Sequence, residues 1–197
     1  MNTSQQISSV CVYCGSRNKI ARQYTDAARA VGHRLADDGL TLIYGGGRVG
    51  LMGIVADAVL ERGGTVVGVI PHFLDRLEVA HTGVTELIRT ETMQERKTIM
   101  ATRADAFLAL PGGFGTLEEL FEILTWRQLQ LHDKPVAVLN VDGYWDHLLA
   151  LLRIQAQEGF LQEEHLALLS VAESVDDAFA ALRASAPARY ALQDKWL

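Results

Sequence analysis

The chain has 197 residues, 49% of them hydrophobic and 21% charged, and a formal net charge of −6. That length fits one domain with a sizeable core, and the acidic balance, with a pI near 5.5, argues against nucleic-acid or membrane-surface partners. No run of about eighteen apolar residues occurs, so no transmembrane helix is expected. The polar start, Met1 to Gln6, has no basic region or apolar stretch of the secretory kind, so a cytoplasmic location is expected.

In chain order, Ile7 to Cys14 reads as a first strand feeding Gly15-Ser16. Tyr24 to Asp38 carries Ala27, Ala28, Val31 and Leu35 at helical spacing, and Gly39 ends it. Thr41 to Tyr44 is a second strand, running into Gly45-Gly-Gly-Arg-Val-Gly50; Leu51 to Glu61 is a helix and Thr65 to Ile70 a third strand. Phe73 to Gly83 has no clean period and is read as loop or short helix. Val84 to Arg89 follows as a strand and Thr92 to Thr102 as a helix. Ala106 to Leu110 is a buried strand, then a glycine turn, then a helix opened by Thr116 and reaching about Leu131. Val136 to Leu139 is a strand, Tyr144 to Glu158 an amphipathic helix, Leu169 to Val171 an edge strand and Val175 to Arg183 a last helix. Strands alternating with helices predict an α/β fold, a Rossmann-like doubly wound parallel sheet in a single domain over residues 1–197. Its core spans about 7–184, and the tail from 185 is left unassigned.

Cys11 and Cys14 form a C-x-x-C pair inside an apolar run, with no second pair to complete a metal site, so they read as core residues. Three turns fall at carboxyl ends of strands, where such sheets bind ligands: Gly15-Ser16, Gly45-Gly46-Gly47 onward, and Pro111 to Thr116. Their convergence predicts one nucleotide-sized site. The second turn matches G-x-G-x-x-G, yet the next strand ends Val69-Ile70-Pro71-His72 without the acid that holds a ribose in dinucleotide folds. No P-loop pattern occurs. The third turn, strand to glycines to helix, is a ready anion site, since backbone N–H groups and the helix dipole favour negative charge there. Glu118 and Glu119 follow it. Thr116 as N-cap with Glu119 as its capping-box partner is the plainer reading, but it leaves the glycines unexplained. The Arg96-Lys97 pair sits on the helix just before this unit. It reads either as a solvated face or as a source of phosphate contacts and a guanidinium that binds oxyanions in bidentate fashion.

Three segments together, Tyr44-Gly-Gly-Gly-Arg-Val-Gly-Leu-Met-Gly53, Met93-Gln-Glu-Arg-Lys97 and Pro111-Gly-Gly-Phe-Gly-Thr-Leu-Glu-Glu119, resemble the LONELY GUY (LOG) family of cytokinin riboside 5'-monophosphate phosphoribohydrolases, often mislabelled lysine decarboxylases. The resemblance runs from about Val10 to Arg183, and Thr125-Trp126 and Asn140-Val-Asp-Gly-Tyr144 also look like the family. It implies a homodimer with sites near the interface. It also implies hydrolysis of the N-glycosidic bond of an adenine-type nucleoside 5'-monophosphate to free base and ribose 5-phosphate, with AMP as one such substrate. Matched by position, Arg96 and Glu119 are the catalytic pair. Glu78, Lys97, Gly113, Phe114, Gly115, Thr116, Leu117, Glu118 and Thr125 match substrate-contacting positions.

The residues suit that chemistry. Departure of the base develops positive charge on the ribose, which a carboxylate such as Glu119 stabilises while orienting or deprotonating a water. The phosphate sits on the glycine-turn amides, aided by Lys97 or Thr116, and Arg96 positions the ribose or phosphate or supports the departing base. No cofactor and no metal are expected. A pyridoxal-dependent decarboxylase would need a Schiff-base lysine, and of Lys19, Lys97, Lys134 and Lys195 only Lys97 falls near the site. The alternatives from other classes are a non-catalytic nucleotide-binding module on the same fold, such as a molybdenum-cofactor-carrier-like protein, and an NAD(P)-dependent enzyme.

Overall fold

The structure is a computed structural model that describes residues 7–76 and 79–184. Glu78 and the segment from 185 onward lie outside the described residues. Seven strands, β1 (Ser9–Tyr13), β2 (Thr41–Tyr44), β3 (Val66–Pro71), β4 (Glu86–Thr90), β5 (Ala106–Ala109), β6 (Val136–Leu139) and β7 (Ser170–Ala172), alternate with helices α1 (Arg22–Asp37), α2 (Gly50–Glu61), α3 (His72–Asp75), α4 (Met93–Arg103), α5 (Phe114–Gln128), α6 (Asp146–Gln157) and α7 (Val175–Ala184). The strands pair in parallel in the order β4-β3-β2-β1-β5-β6-β7. The Rossmann-like doubly wound sheet expected from the sequence is therefore present.

Both faces of the sheet are covered, and the period-two alternation of the strands divides the core into two layers. Val10, Val12, Leu42, Leu108 and Leu139 point to one face, under Val31 and Leu35 of α1, Val55 and Val59 of α2, and Phe179 of α7. Cys11, Tyr13, Ile43, Phe107 and Val138 point to the other, under Met100 of α4, Leu120 and Ile123 of α5, and Trp145. Cys11 and Cys14 are free and buried in opposite layers, and burial pushes both thiols up, as suits core residues. Among the described residues no helix is long and apolar enough to cross a membrane.

β1 and β5 lie side by side at the point where the strand order reverses, so the chain leaves β1 towards α1 on one face and β5 towards α5 on the other. The two loops diverge there, and the crevice they open is where ligands bind on such sheets. Several expected boundaries shift by one to three residues, and two of the shifts bear on the site. The helix expected from Tyr144 begins at Asp146, with Trp145 (φ −91°, ψ −1°) as its N-cap, and a tight turn with Asp142 (φ 50°) and Gly143 (φ 71°) in left-handed conformations precedes it. The helix after the third turn begins at Phe114, with Gly113 as its N-cap and no capping side chain. Thr116 is therefore inside the first turn, and the capping-box reading is corrected.

Candidate active site

A cavity of about 590 Å³ opens at the switch point. Gly15, Ser16 and Arg17 from the β1 loop, Gly45 and Gly47 from the β2 loop, Arg96 from α4, and Pro111 to Thr116 with Glu119 from the β5–α5 unit all line it. The three turns thus converge as expected. The wall also includes apolar groups not anticipated from sequence, among them Ile20, Tyr24, Met52, Ile70, Leu74 and Val79, together with Tyr144. Met52 and Tyr144 alone carried a signal, as members of the Tyr44-to-Gly53 and Asn140-to-Tyr144 motifs. The others come from α1, β3, α3 and two loops and meet only in the fold.

Arg96 and Glu119 face one another in the floor, 7% and 9% exposed. Arg96 is seated on strand ends: its Nε donates to the Val69 carbonyl at 3.0 Å and its Nη2 to the Gly45 carbonyl at 3.1 Å. A Cβ at Gly45 would overlap that Nη2, so the glycine makes the seat. Nη1 lies 3.8 Å from Glu119 Oε1, close enough for attraction but beyond hydrogen-bond length. Burial raises the Glu119 pKa to about 7, with Arg96 pulling the other way and Glu118 adding to the rise. A carboxyl poised there exchanges protons near neutral pH.

The basic pair splits. Lys97, one residue on, turns away from the cavity and bonds Glu118 and, at 3.0 Å, Glu122 on α5. Burial alone would lower its pKa, but the two carboxylates raise it above the ordinary lysine value. Lys97 therefore staples α4 to α5 instead of reaching a substrate in this cavity, and Glu118 is its partner. Leu117 packs into the core and Thr125 is exposed two turns further along α5; neither lines the cavity. Gly46 is buried beside it, its carbonyl accepting from His81 N–H at 2.8 Å. Glu78 lies outside the described residues. Phe114 stands at the mouth, 92% exposed.

The β5–α5 turn is shaped for an occupant. A Cβ built on Gly113 or Gly115 meets nothing within 4 Å beyond its own neighbours in the chain. The first-turn N–H groups of α5 have no acceptor within the helix. No cluster of His, Cys, Asp or Glu able to hold a metal ion occurs among the described residues.

A family model described as "possible lysine decarboxylase" matches residues 52–182. The cytokinin riboside 5'-monophosphate phosphoribohydrolase LOG of Oryza sativa subsp. japonica is 50% identical over 155 residues, which are 79% of this chain and 64% of that protein. The chain belongs to the LOG family. A second LOG relative, a cytokinin riboside 5'-monophosphate phosphoribohydrolase of Arabidopsis thaliana, is 45% identical over 159 residues, 81% of this chain and 75% of the relative. Solved structures share the fold at lower identity. The molybdenum cofactor binding protein from Rippkaea orientalis superposes with a TM-score of 0.67 at 22% identity, covering 90% of this chain and 96% of that one. The molybdenum cofactor carrier protein from Chlamydomonas reinhardtii gives 0.66 at 24%, covering 89% and 95%. The decarboxylase label of the LOG family model finds no support in the cavity: no lysine among the described residues lines it, and Lys97 is held protonated between two carboxylates, whereas a Schiff base needs a free amine.

Proposed function

We propose that this protein hydrolyses the N-glycosidic bond of adenine-type nucleoside 5'-monophosphates, cytokinin riboside 5'-monophosphates and AMP among them, releasing the free base and ribose 5-phosphate. One observation carries the reading: a buried carboxylate, Glu119, sits in the second turn of a helix with an open N-terminus and 3.8 Å from a buried guanidinium, all on one cavity. The 5'-phosphate occupies the Gly113–Thr116 turn, where it meets the free N–H groups, the Thr116 side chain and the positive end of the helix dipole. That places the ribose over Glu119. As the bond to the base lengthens, Glu119 stabilises the cationic sugar and draws a proton from the attacking water. Arg96 keeps part of Glu119 ionised and has donors left over for the ribose or the departing base. The apolar wall receives the base.

The protein acts as a homodimer in the cytoplasm and as one domain. α6 supports the dimer, for it has no fully buried residue and exposes Leu151 and Ile154, a face that a second copy can cover. The test is incubation with AMP and with isopentenyladenosine monophosphate, followed by chromatography of the products. Free base and ribose 5-phosphate in equal amounts are expected. Binding without turnover would reduce the protein to a nucleotide-binding module. Light scattering at micromolar concentration should give the dimer mass; a monomer would refute that part.

A further inference from the structure

Three successive carbonyls of the β5–α5 turn are tied down. The Pro111 carbonyl accepts from Gly15 N–H at 3.0 Å and the Gly113 carbonyl from Leu117 N–H at 3.0 Å. The Gly112 carbonyl accepts from the Tyr144 hydroxyl at 2.7 Å. Two of the ties are backbone bonds that follow from the strand pair and the helix. The third is a side chain from another element, brought in across 32 positions of sequence. In a planar trans peptide the C=O and the following N–H point in opposite directions, so an anchored carbonyl fixes the direction of the next donor. With no Cβ at Gly112 or Gly113, this peptide is the one in the turn most free to flip.

The loop that delivers Tyr144 is built stiffly. Asn140, 4% exposed, accepts from Trp145 N–H at 2.7 Å and donates to Asp146 Oδ1 at 2.8 Å. Asp142 is held at φ 50°, a conformation a non-glycine residue adopts at some cost. The Tyr144 ring lies edge-on to Tyr24 (5.6 Å) and Trp145 (4.9 Å) and forms part of the cavity wall.

We infer that Tyr144 is a positioning residue: its hydroxyl locks the Gly112–Gly113 peptide so that the start of α5 presents its donors to a 5'-phosphate. This rests on the function proposed above. Tyr144→Phe keeps the ring and removes only the tie. The readouts are KM and kcat with AMP, the inhibition constants of ribose 5-phosphate and of adenine, and amide hydrogen exchange across residues 113–116. KM for AMP and the inhibition constant of ribose 5-phosphate should each rise roughly fivefold to tenfold, the value of one hydrogen bond. The kcat should stay within about twofold, adenine inhibition should be unchanged, and exchange should quicken. An unchanged ribose 5-phosphate constant, or adenine weakened in parallel, overturns the inference. If the parent neither cleaves AMP nor is inhibited by ribose 5-phosphate, the proposed function fails instead. Hydrogen exchange then decides Tyr144 alone, and unaltered protection of residues 113–116 would refute its role.

Discussion

Two glycine turns lie on the same cavity, and they use glycine for opposite purposes. In the Gly45–Gly50 turn the protein itself fills the space. Arg96 occupies the room over Gly45, and a Cβ at Gly50, whose φ is +62°, would stand 2.8 Å from the Arg17 backbone nitrogen. Donors at its far end are spent as well: Arg48 N–H goes to the Val79 carbonyl at 2.8 Å, Gly50 N–H to Asn18 Oδ1 at 3.1 Å, and Leu51 N–H just beyond it to the Gly15 carbonyl at 2.9 Å. In the Gly113–Gly115 turn no neighbour fills the space and the carbonyls, not the donors, are consumed. The formal dinucleotide motif thus belongs to the folding of the protein, and the second turn is left for a ligand. A fingerprint says that glycines are needed, and only the neighbours say for what.

Substitutions separate the two turns. Gly50→Ala forces a left-handed residue into backbone atoms and should cost about 3 kcal/mol in urea unfolding. The carboxylate behind the second turn gives the next largest effect. Glu119 binds its proton more tightly folded than unfolded, its pKa rising from 4.5 to about 7. Ionising it therefore costs stability progressively from about pH 4.5 upward, in full above about pH 7. Glu119→Gln should be the more stable protein at pH 8 by up to about 3 kcal/mol, with the gap closing towards pH 4.5. The same titration predicts that kcat/KM on AMP falls about tenfold per unit below pH 7, as its carboxylate base is protonated.

Smaller effects come from the turn itself. Gly113→Ala meets no neighbour, so its melting temperature should match the parent while KM for AMP rises about tenfold, near 1.4 kcal/mol. Gly115→Ala sits inside the helix and should stabilise the fold by about 1 kcal/mol while weakening AMP. Loss of stability in either, with affinity intact, would erase the distinction between the turns.

Much of the fold was legible in the sequence. The bounds of β2 and β6 agree residue for residue with the apolar runs, because Gly39 and Pro135 punctuate them. Cys11 and Cys14 are core residues as read. α5 starts earlier than its apolar pattern predicts: Gly113-Phe-Gly115 has poor helix propensity, yet the backbone is helical from Phe114. The lining of the cavity was legible where a motif named it, as at Arg96 and Glu119. It was hidden wherever direction mattered. Adjacent residues on a helix diverge by about 100°, and no local pattern sends Arg96 to the β2 and β3 ends and Lys97 to Glu118. Tyr144 needed the order of β1, β5 and β6 before its hydroxyl could be placed on Gly112.

The most direct test of the central assignment is the rate of base release from saturating AMP by Glu119→Gln at pH 8, measured beside its KM. The assignment predicts a rate lower by about 10² or more with KM little changed, since shape and phosphate contacts remain while the carboxylate is gone. Release at the parent rate would contradict it.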